Sequence, residues 1–468
     1  MTHVSTRRTI AAGVSVAVAV SLAASTAGAA TKTTKKKTIK KAVVTTTVAP
    51  PVTTAAPAPA STAPASTVPA APAASAIPFT GFDVGTKTIK VGFSGIMTGP
   101  FAFLGSAQRN SLQVEIDRIN AAGGVGGAKL ELVVRDDGAS PARANDNARE
   151  FANDKSVGLI VGPSLTGNFN AVRGVYEEAK KLNCQPAVGG DSGFGSTLRY
   201  AFRAQDAAAD VVPLLLKYLG EQKVGILGLV YTNNATGKEY DKLIPAQADK
   251  RSIVWAGTAF TQSSDQTHAP QVKELLESFN ARKSTKAAMW IDNDQNAAKT
   301  VIAGKAAGFN GIYVGGSGLQ SYLIVDAGGT GMEDATFESP FLGALSRIPV
   351  DQQPKAYARH TQEVIARYGF SKGARENVQQ YTGTAIAADC IVMYANAVAK
   401  AKSVDADKVV EAWESLSFGV DDLPSGVPAK FSKTDHETYE IADLWVWTWK
   451  KDAKGWYVEL ARKADSAK

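Results

Sequence analysis

Short apolar runs alternate with longer segments of helical periodicity from about residue 87 to the C-terminus. The short runs predict strands at 89–94, 129–135, 158–161, around Ala187, 223–231, 287–291 and 311–314. The longer segments predict helices at 105–122, 141–154, 169–182, 208–219 and 380–400. Such alternation is typical of parallel sheets covered by helices on both faces. The chain therefore belongs to the α/β class.

The pattern changes near the C-terminus, where 442–449 and 456–460 predict the two strands of a hairpin. Trp445, Trp447 and Trp449 recur at every second residue of the first strand and so share one of its faces. Two interpretations of this row stay open: the indoles pack against the sheet, or they line a ligand cleft.

The first 84 residues differ in composition from the rest of the chain. Residues 1–29 combine Arg7 and Arg8, an apolar run at 10–24 and small residues at 27–29, as a secretory signal peptide does. Residues 30–84 begin with a lysine cluster and continue as Ala, Pro, Thr and Ser, which predicts a disordered tether. Export by the general or the twin-arginine route stays open.

Export predicts that the protein is extracellular, associated with the cell envelope or periplasmic. The apolar run of the leader is shorter than the roughly 20 residues of a membrane-spanning helix, and no later stretch is long enough. The first cysteine, Cys184, lies far from the leader, so no lipid-attachment motif is present. We therefore expect no transmembrane helix in the mature chain.

The basic charge belongs to the leader and the tether. The whole chain carries a formal charge of +7, and its first 50 residues contribute +8, which leaves −1 for residues 51–468. This balance gives no support for a nucleic-acid-binding fold. The lysine cluster is either a solubilising tail or an attachment to an anionic envelope surface.

A chain of 468 residues exceeds the size of one compact core, so two domains are expected. Several short motifs resemble, in their order and spacing, the amino-acid-type periplasmic binding proteins of ABC importers, typified by the leucine/isoleucine/valine-binding protein. They are Ile89-Lys90-Val91-Gly92, Thr98-Gly99-Pro100, Gly105, Ile119-Asn120-Ala121-Ala122-Gly123-Gly124-Val125, Leu130 to Asp137, Ile160-Val161-Gly162-Pro163-Ser164, Val175-Tyr176-Glu177-Glu178-Ala179 and Phe202-Arg203. The resemblance extends from about Ile89 to the C-terminus.

The resemblance implies two doubly wound parallel-sheet lobes joined by three hinge crossovers, the type I periplasmic binding protein fold. We place the crossovers near residues 205, 338 and 428. Lobe 1 would then comprise 86–205 and 338–428, and lobe 2 would comprise 206–337 and 429–465. The implied partners are a small-molecule ligand and the membrane permease of an ABC importer, and a monomer is expected.

Ligands of open α/β sheets bind at the carboxyl ends of the strands, where helix N-termini present free N–H groups. By the resemblance, Ser164, Thr166 and the amides that follow, including Gly167, would hold a ligand carboxylate. Gly190, Asp191 and Ser192 occupy the next strand end. The same Ser, Thr and Gly residues are also ordinary helix caps and turn formers.

The second lobe departs from the amino-acid-binding pattern. Thr236 stands where that pattern has an aromatic residue, and Ser317 stands where it has a carboxylate for the ligand's amine. Asp191, Asp292 or Asp294 would be needed to compensate an ammonium group. Phe101 and Phe103 form either an apolar wall for the ligand or lobe packing. The expected ligand-binding set is Phe101, Phe103, Ser164, Thr166, Gly167, Gly190, Asp191, Ser192, Thr236, Asn293 and Ser317.

Catalytic interpretations of several fragments fail on their context. Gly190-Asp191-Ser192-Gly193 resembles a serine-protease tetrapeptide, but none of the four histidines has triad or metal spacing. Asp136 and Asp137 are adjacent, and a turn role explains them better than paired acids. We expect no enzyme activity, no cofactor and no metal. Cys184 and Cys390 form either a disulfide, which export permits, or two buried thiols.

The sequence thus predicts an exported solute-binding protein that captures a small polar molecule, such as an amino acid, an amide or a small carboxylate. Cleft closure would then present the ligand to an ABC importer. The main alternative is a ligand-sensing module of a membrane signalling receptor, and a hydrolase or envelope-structural protein is the third.

Overall fold

The fold is taken from a computed structural model that describes residues 78–190, 193–282, 286–292, 296–341, 345–369 and 385–465. The predicted leader and almost all of the predicted tether lie outside the described residues. Two main sheets account for most of the strands in the described chain.

The first sheet has five parallel strands in the order β2-β1-β3-β4-β5. β2, β3 and β4 each follow a helix that crosses over the sheet, as parallel pairing requires, whereas β5 follows a loop. The strands are β1 (Thr88–Gly95), β2 (Lys129–Asp136), β3 (Val157–Val161), β4 (Asn183–Gln185) and β5 (Ala201–Arg203). The helices between them are α1 (Ala102–Ala121), α2 (Pro141–Asn153) and α3 (Thr166–Glu178).

The second sheet has seven strands in the order β14-β13-β10-β9-β8-β6-β7. β6 to β10 are parallel, whereas the C-terminal hairpin joins through the antiparallel pair of β10 and β13. The strands are β6 (Ile226–Thr232), β7 (Val254–Thr261), β8 (Ala287–Trp290), β9 (Ile312–Gly315), β10 (Thr336–Ser339), β13 (Trp445–Asp452) and β14 (Gly455–Arg462). A separate two-stranded ribbon pairs β11 (Ser417–Phe418) with β12 (Ala429–Lys430).

Helices cover both main sheets. α4 (Ala208–Glu221) leads from β5 into β6, and the helices between the strands of the second sheet are α5 (Ala235–Ala248), α6 (Ala269–Ala281), α7 (Asn296–Ala306) and α8 (Tyr322–Gly328). After β10 the chain returns to the first sheet with α9 (Lys355–Tyr368), α10 (Ala385–Ala401) and α11 (Ala406–Trp413). α9 and α10 pack against α1. The helices and the two sheets form two α/β lobes, and the first lobe is built from separate parts of the chain. The predicted fold class is therefore confirmed. The lobe boundaries at residues 205, 338 and 428 stay predictions.

Local chemistry explains several helix ends. α2 has a side-chain cap, because the Ser140 hydroxyl accepts the Arg143 amide and Pro141 occupies the first helical position. α1 ends where Gly123 and Gly124 both take positive φ angles and bond back to carbonyl groups of the last turn. An added Cβ at Gly124 would lie 2.0 Å from the Ala128 carbonyl oxygen.

Several predicted boundaries were wrong. The strand predicted around Ala187 is instead Asn183–Gln185, because Pro186 has no N–H group with which to continue the ladder. The helix predicted at 169–182 is Thr166–Glu178, and Lys180 at a φ of 52° follows its end. The strand predicted from residue 223 begins at Ile226, since Lys223 also has a positive φ.

The C-terminal predictions need similar adjustment. The hairpin is confirmed, but its first strand begins at Trp445, because residues 441–443 form a 3₁₀ turn. The helix predicted at 380–400 is described from Ala385 to Ala401, and residues 380–384 lie outside the described residues.

Cys184 and Cys390 are joined by a disulfide, with Cα atoms 5.7 Å apart and 206 residues apart in sequence. Cys184 lies in β4 and Cys390 in α10. The bond therefore joins the first sheet to a helix that follows β6 to β10 in the chain. The structure therefore contains the disulfide alternative and not the two free thiols.

The tryptophan row packs inside the second lobe. Trp447 and Trp449 are buried, and Trp445 is half-buried and stacks on Trp447 at a centroid distance of 5.9 Å. The indole N–H of Trp449 donates to the Leu319 carbonyl at 2.7 Å, and that of Trp447 donates to Pro340. None of the three lines the cavity between the lobes described below, so packing is the interpretation that the structure supports.

Asp389 in α10 is a buried carboxyl group that joins this helix to the chain on either side of β12. It accepts the Ser425 amide at 2.9 Å and the Tyr439 hydroxyl at 3.0 Å. Burial raises the pKa of Asp389 to about 7, so the folded protein holds a proton that the unfolded chain releases near pH 4. Stability from this group is therefore greatest below about pH 4 and falls as the pH rises toward 7.

We predict that Asp389→Asn flattens this pH dependence, because asparagine cannot ionise. Its amide oxygen can accept the Ser425 amide while its NH2 group donates to the Tyr439 hydroxyl oxygen. The loss of unfolding free energy between pH 5 and pH 8 should be smaller in the variant than in the wild type by about 2 kcal/mol. Urea unfolding at both pH values measures the difference. Asp146→Asn, an exposed change on α2, is the matched control; an equal pH difference in all three proteins would contradict the prediction.

Candidate functional site

A cavity of about 420 Å³ lies where the carboxyl ends of strands from both main sheets face each other. Its walls come from the segments after β1, β2, β3, β4 and β5 on one side and after β6, β7 and β9 on the other. This is the position at which open α/β sheets bind ligands. The lining residues are Phe101, Phe103, Leu104, Ala139, Ser164, Leu165, Ala187, Gly189, Gln205, Asp206, Tyr231, Asn234, Thr236, Tyr240, Ser263, Ser317, Gly318, Ser321 and Ile324.

Aromatic and aliphatic side chains form much of the wall. Phe101 and Phe103 lie at the start of α1, with ring centroids 6.5 Å apart. Tyr231 and Tyr240 face them from the second lobe, 5.4 Å apart. Ligand pockets are commonly lined in this way, with a few polar groups that fix orientation. The structure thus places both predicted phenylalanines in the cavity wall.

The first lobe contributes polar groups around the start of α3. The Ser164 hydroxyl donates to the Gln108 side chain at 2.6 Å and keeps its lone pairs. Thr166 begins α3, whose first N–H groups have no acceptor within the helix. The Gly190 amide donates to the Thr166 hydroxyl at 3.4 Å, which joins the two predicted strand-end loops.

The two lobes touch beside the cavity. The Thr236 hydroxyl, in the first turn of α5, donates to the Thr166 hydroxyl at 3.4 Å. Asn234 caps the same helix by accepting the Gly237 amide at 2.9 Å. The described structure is therefore a state in which the lobes approach each other at the N-termini of α3 and α5.

Arg203 at the end of β5 supports the strand-end loop of the first lobe. Its guanidinium donates to the Gly190 carbonyl at 2.9 Å, lies 4.9 Å from the Phe194 ring and pairs with Glu437. The Gly189 carbonyl accepts the first amide of α4, from Ala208, at 2.8 Å. A buried charge and a helix start thus hold the loop that supplies Gly189 to the cavity.

The floor of the cavity is a buried polar cluster that sequence reasoning missed, apart from Ser317. Gln205, Asp206 and Ser317 are 5%, 4% and 3% exposed. The Ser317 hydroxyl lies 3.3 Å from a carboxylate oxygen of Asp206, and the Gln205 amide donates to both. Behind them the Ser317 amide donates to Glu338 at 3.0 Å.

Glu338 in β10 is fully buried. Burial, and then the neighbouring Asp206 carboxylate, raise the pKa of Glu338 well above its usual range. Glu338 therefore favours the protonated form more strongly than an exposed glutamate does.

Five of the predicted ligand-binding residues line the cavity: Phe101, Phe103, Ser164, Thr236 and Ser317. Thr166 lies beside the cavity, because its hydroxyl accepts that of the lining residue Thr236, and the Gly190 amide donates to Thr166 in turn. Gly167 is not part of the lining. Asp191, Ser192 and Asn293 lie outside the described residues, as does Asp294. Asp292 is buried and accepts the Thr232 amide at 2.7 Å, away from the lining.

The other candidate chemistry has structural explanations. Asp136 accepts the amides of Met97 and Gly138, and Asp137 accepts that of Ala139, as the predicted turn role requires. In the described part of the chain, no group of three or more His, Cys, Asp or Glu residues is arranged to hold a metal ion. Nor does any helix there have the length and apolar character needed to cross a membrane.

The fold and the cleft define a class, the two-lobed binding proteins. A family model described as periplasmic binding protein matches residues 88–454, most of the chain, so the protein belongs to this family. The leucine-, isoleucine-, valine-, threonine- and alanine-binding protein of Pseudomonas aeruginosa is 25% identical over 386 residues, covering 80% of this chain and 93% of that protein. The resemblance seen in the sequence is confirmed.

Solved structures show the same fold. A periplasmic binding protein type 1 from Bordetella pertussis Tohama I has a TM-score of 0.70 at 20% identity, covering 80% of this chain and all of that one. The branched-chain amino acid transporter substrate binding protein LivJ from Streptococcus pneumoniae, in complex with isoleucine, has a TM-score of 0.62 at 19% identity, with 80% and 100% covered.

Proposed function

We propose that this protein is an exported, non-enzymatic solute receptor that captures a small polar molecule and delivers it to an ABC importer. The observation that supports the proposal most is the cavity at the carboxyl ends of both sheets, walled by aromatic residues and floored by Gln205, Asp206 and Ser317. An amino acid, an amide or a small carboxylate fits these dimensions and this chemistry. The relatives that share the family bind leucine, isoleucine, valine, threonine and alanine in one case and isoleucine in another.

The ligand would bind to both lobes and so favour their closed arrangement. The first amides of α3 would donate to a polar or anionic end of the ligand, and the lone pairs of Ser164 would accept from a ligand donor beside it. Phe101 and Phe103 would cover the apolar body. Thr236 and Ser317 would contact the ligand from the second lobe. Since a ligand shifts a conformational equilibrium only by its differential affinity, contacts to both lobes are what would drive closure.

Export rests on the predicted signal peptide at residues 1–29. The lysine-rich tether that follows would separate the folded lobes from the envelope. The closed surface of the two lobes would then contact the permease.

Ligand capture is tested by a thermal-shift panel of amino acids, amides, aliphatic and aromatic carboxylates and sugars on the purified protein. We predict that one chemical class stabilises the protein, by about 2.7 kcal/mol at a hundred times its dissociation constant. The ligand should be recovered unchanged, because no turnover is expected.

Two threonine variants provide the control. Thr236→Ala, in the cavity wall, should weaken the shift, whereas Thr330→Ala, exposed and outside the lining, should not. No stabilisation by any compound would contradict solute capture. Uptake of the labelled ligand by cells with and without the gene then tests delivery to an importer.

A further inference from the structure

A second groove, of about 550 Å³, lies apart from the cavity between the lobes, and the two linings have no described residue in common. Its walls come from the segments after β10, at the start of α9, between β11 and β12, and at the start of β13. They include Phe341, Pro354, Val420, Pro428 and Trp445. We call this surface the aromatic groove.

Aromatic packing fixes one part of the wall. The Phe341 ring contacts the rings of Tyr357 and Trp445 edge to face, at centroid distances of 5.5 and 6.1 Å. Trp445 also stacks on Trp447. Phe341 and Tyr357 are buried, whereas Trp445 is half-buried, so part of its indole is accessible at the groove. The shape of this wall is therefore set by the fold and needs no partner to form it.

The segments on either side of the start of α9 are held close together. The Lys355 amide donates to Asp421 at 2.8 Å, which joins α9 to the segment between β11 and β12. Gly426, in that segment, has a φ of 68°, and an added Cβ there would lie 2.9 Å from the Pro354 ring. Only glycine takes this φ at no steric cost and permits so close an approach.

Apolar groups at the groove face solvent. Val420 in the wall is 50% exposed, and Val350, next to the wall residue Asp351, is 49% exposed. The indole N–H of Trp445 donates to no acceptor among the described residues. Exposed apolar side chains grouped around an unused tryptophan donor are typical of a surface that binds a partner.

The rim of the groove carries an uncompensated negative charge. Asp351, Asp421 and Asp443 contribute −3 and Lys355 contributes +1, which leaves −2. Lys355 pairs with Asp421 at 3.3 Å. In the described part of the chain, neither Asp351 nor Asp443 forms an ion pair. A basic partner would therefore complement the charge of the groove.

From these contacts we infer that the aromatic groove binds an extended, proline-containing segment of a partner protein that carries lysine or arginine. Proline-rich segments bind aromatic-lined grooves well, because their polyproline II conformation is already extended and little conformational entropy is lost. Proline rings of the segment pack on Trp445 and Val420, and a backbone carbonyl of the segment accepts the indole N–H. Its basic side chains pair with Asp351 and Asp443. This binding does not depend on a ligand between the lobes.

Three dye-labelled peptides of matched length test the inference by fluorescence anisotropy with the purified protein. The first alternates proline and lysine, the second has glutamate in place of every lysine, and the third has glycine in place of every proline. We expect the proline–lysine peptide to bind, and each of the other two to bind at least about 10-fold more weakly. No saturable binding of the proline–lysine peptide, or equal binding by either of the others, would overturn the inference.

Variants of the groove test the residues themselves. Trp445→Ala removes the accessible indole and should weaken binding of the proline–lysine peptide by at least about 10-fold. The double variant Asp351→Asn, Asp443→Asn keeps both shapes and should weaken it by about 5-fold. The matched charge control is Asp146→Asn with Asp326→Asn, both exposed and outside the groove, which should bind as the wild type does.

Unchanged peptide affinity in the aspartate double variant would overturn the inference, as would unchanged affinity in Trp445→Ala. Circular dichroism checks that Trp445→Ala folds, and the aspartate variant decides the matter if it does not. Self-association of the wild-type protein that Trp445→Ala abolishes would assign the groove to a second copy of the chain and so also overturn the inference.

Discussion

Replacing Cys184 and Cys390 together by alanine is expected to lower the free energy of unfolding by about 4 kcal/mol. The bond closes a loop of 206 residues, so the unfolded chain loses much more conformational freedom than it would to a short loop. Both sulfur atoms are fully buried, and alanine at these positions leaves no unpaired polar group. Urea unfolding followed by circular dichroism at pH 7 measures the change.

The reduced wild-type protein is the matched control for this disulfide variant. Reduction under denaturing conditions, followed by refolding with a reducing agent present, should yield the same loss of stability as the double substitution. The variant itself should be insensitive to the reducing agent. A loss below about 1 kcal/mol, or two titratable thiols in the untreated protein, would contradict the prediction.

The sequence predicts the architecture well wherever the periodicity is long. The alternation of strands and helices predicts parallel sheets covered by helices, and the chain length predicts two domains. The arrangement in two lobes is implied by the family resemblance. Short elements are a different matter: β4 and β5 have three residues each, too few to show a period. Pairing with their neighbours in the sheet makes them strands, and no local pattern shows that pairing.

Gln205 and Asp206, in the floor of the cavity, were missed for the same reason, because they follow a strand of only three residues. Gln205 and Asp206 lie two and three residues after the end of β5 at Arg203, so a prediction of that strand would have marked them as strand-end residues. The charge partners expected from the sequence are instead Asp191, Asp292 and Asp294, which lie near the ends of predicted strands. Glu338 is harder still, because the rise of its pKa comes from burial and then from Asp206, a residue 132 positions earlier.

Contacts between the lobes also could not be predicted from the sequence. The approach of Thr166 to Thr236 depends on how two separately folded lobes face each other. For the tryptophan row, the periodicity predicts that the three indoles share one face of the strand. Only the structure shows which residues pack against that face. Trp449 links that packing to the site, because its indole N–H bonds the Leu319 carbonyl in the turn that begins at Ser317.

Trp449→Ala is expected to lower the free energy of unfolding by about 3–5 kcal/mol, since a fully buried indole is removed and its cavity cannot collapse. The indole contacts Tyr322, Phe337 and Trp456, with ring centroids between 5.4 and 6.2 Å away. Trp445→Ala, on the same strand face but half-buried, is the matched control and should cost much less. Urea unfolding measures both variants, and equal losses would contradict the prediction.

Because the Leu319 carbonyl also loses its donor, the turn that carries Ser317 becomes less fixed, and Trp449→Ala should weaken ligand binding where Trp445→Ala does not.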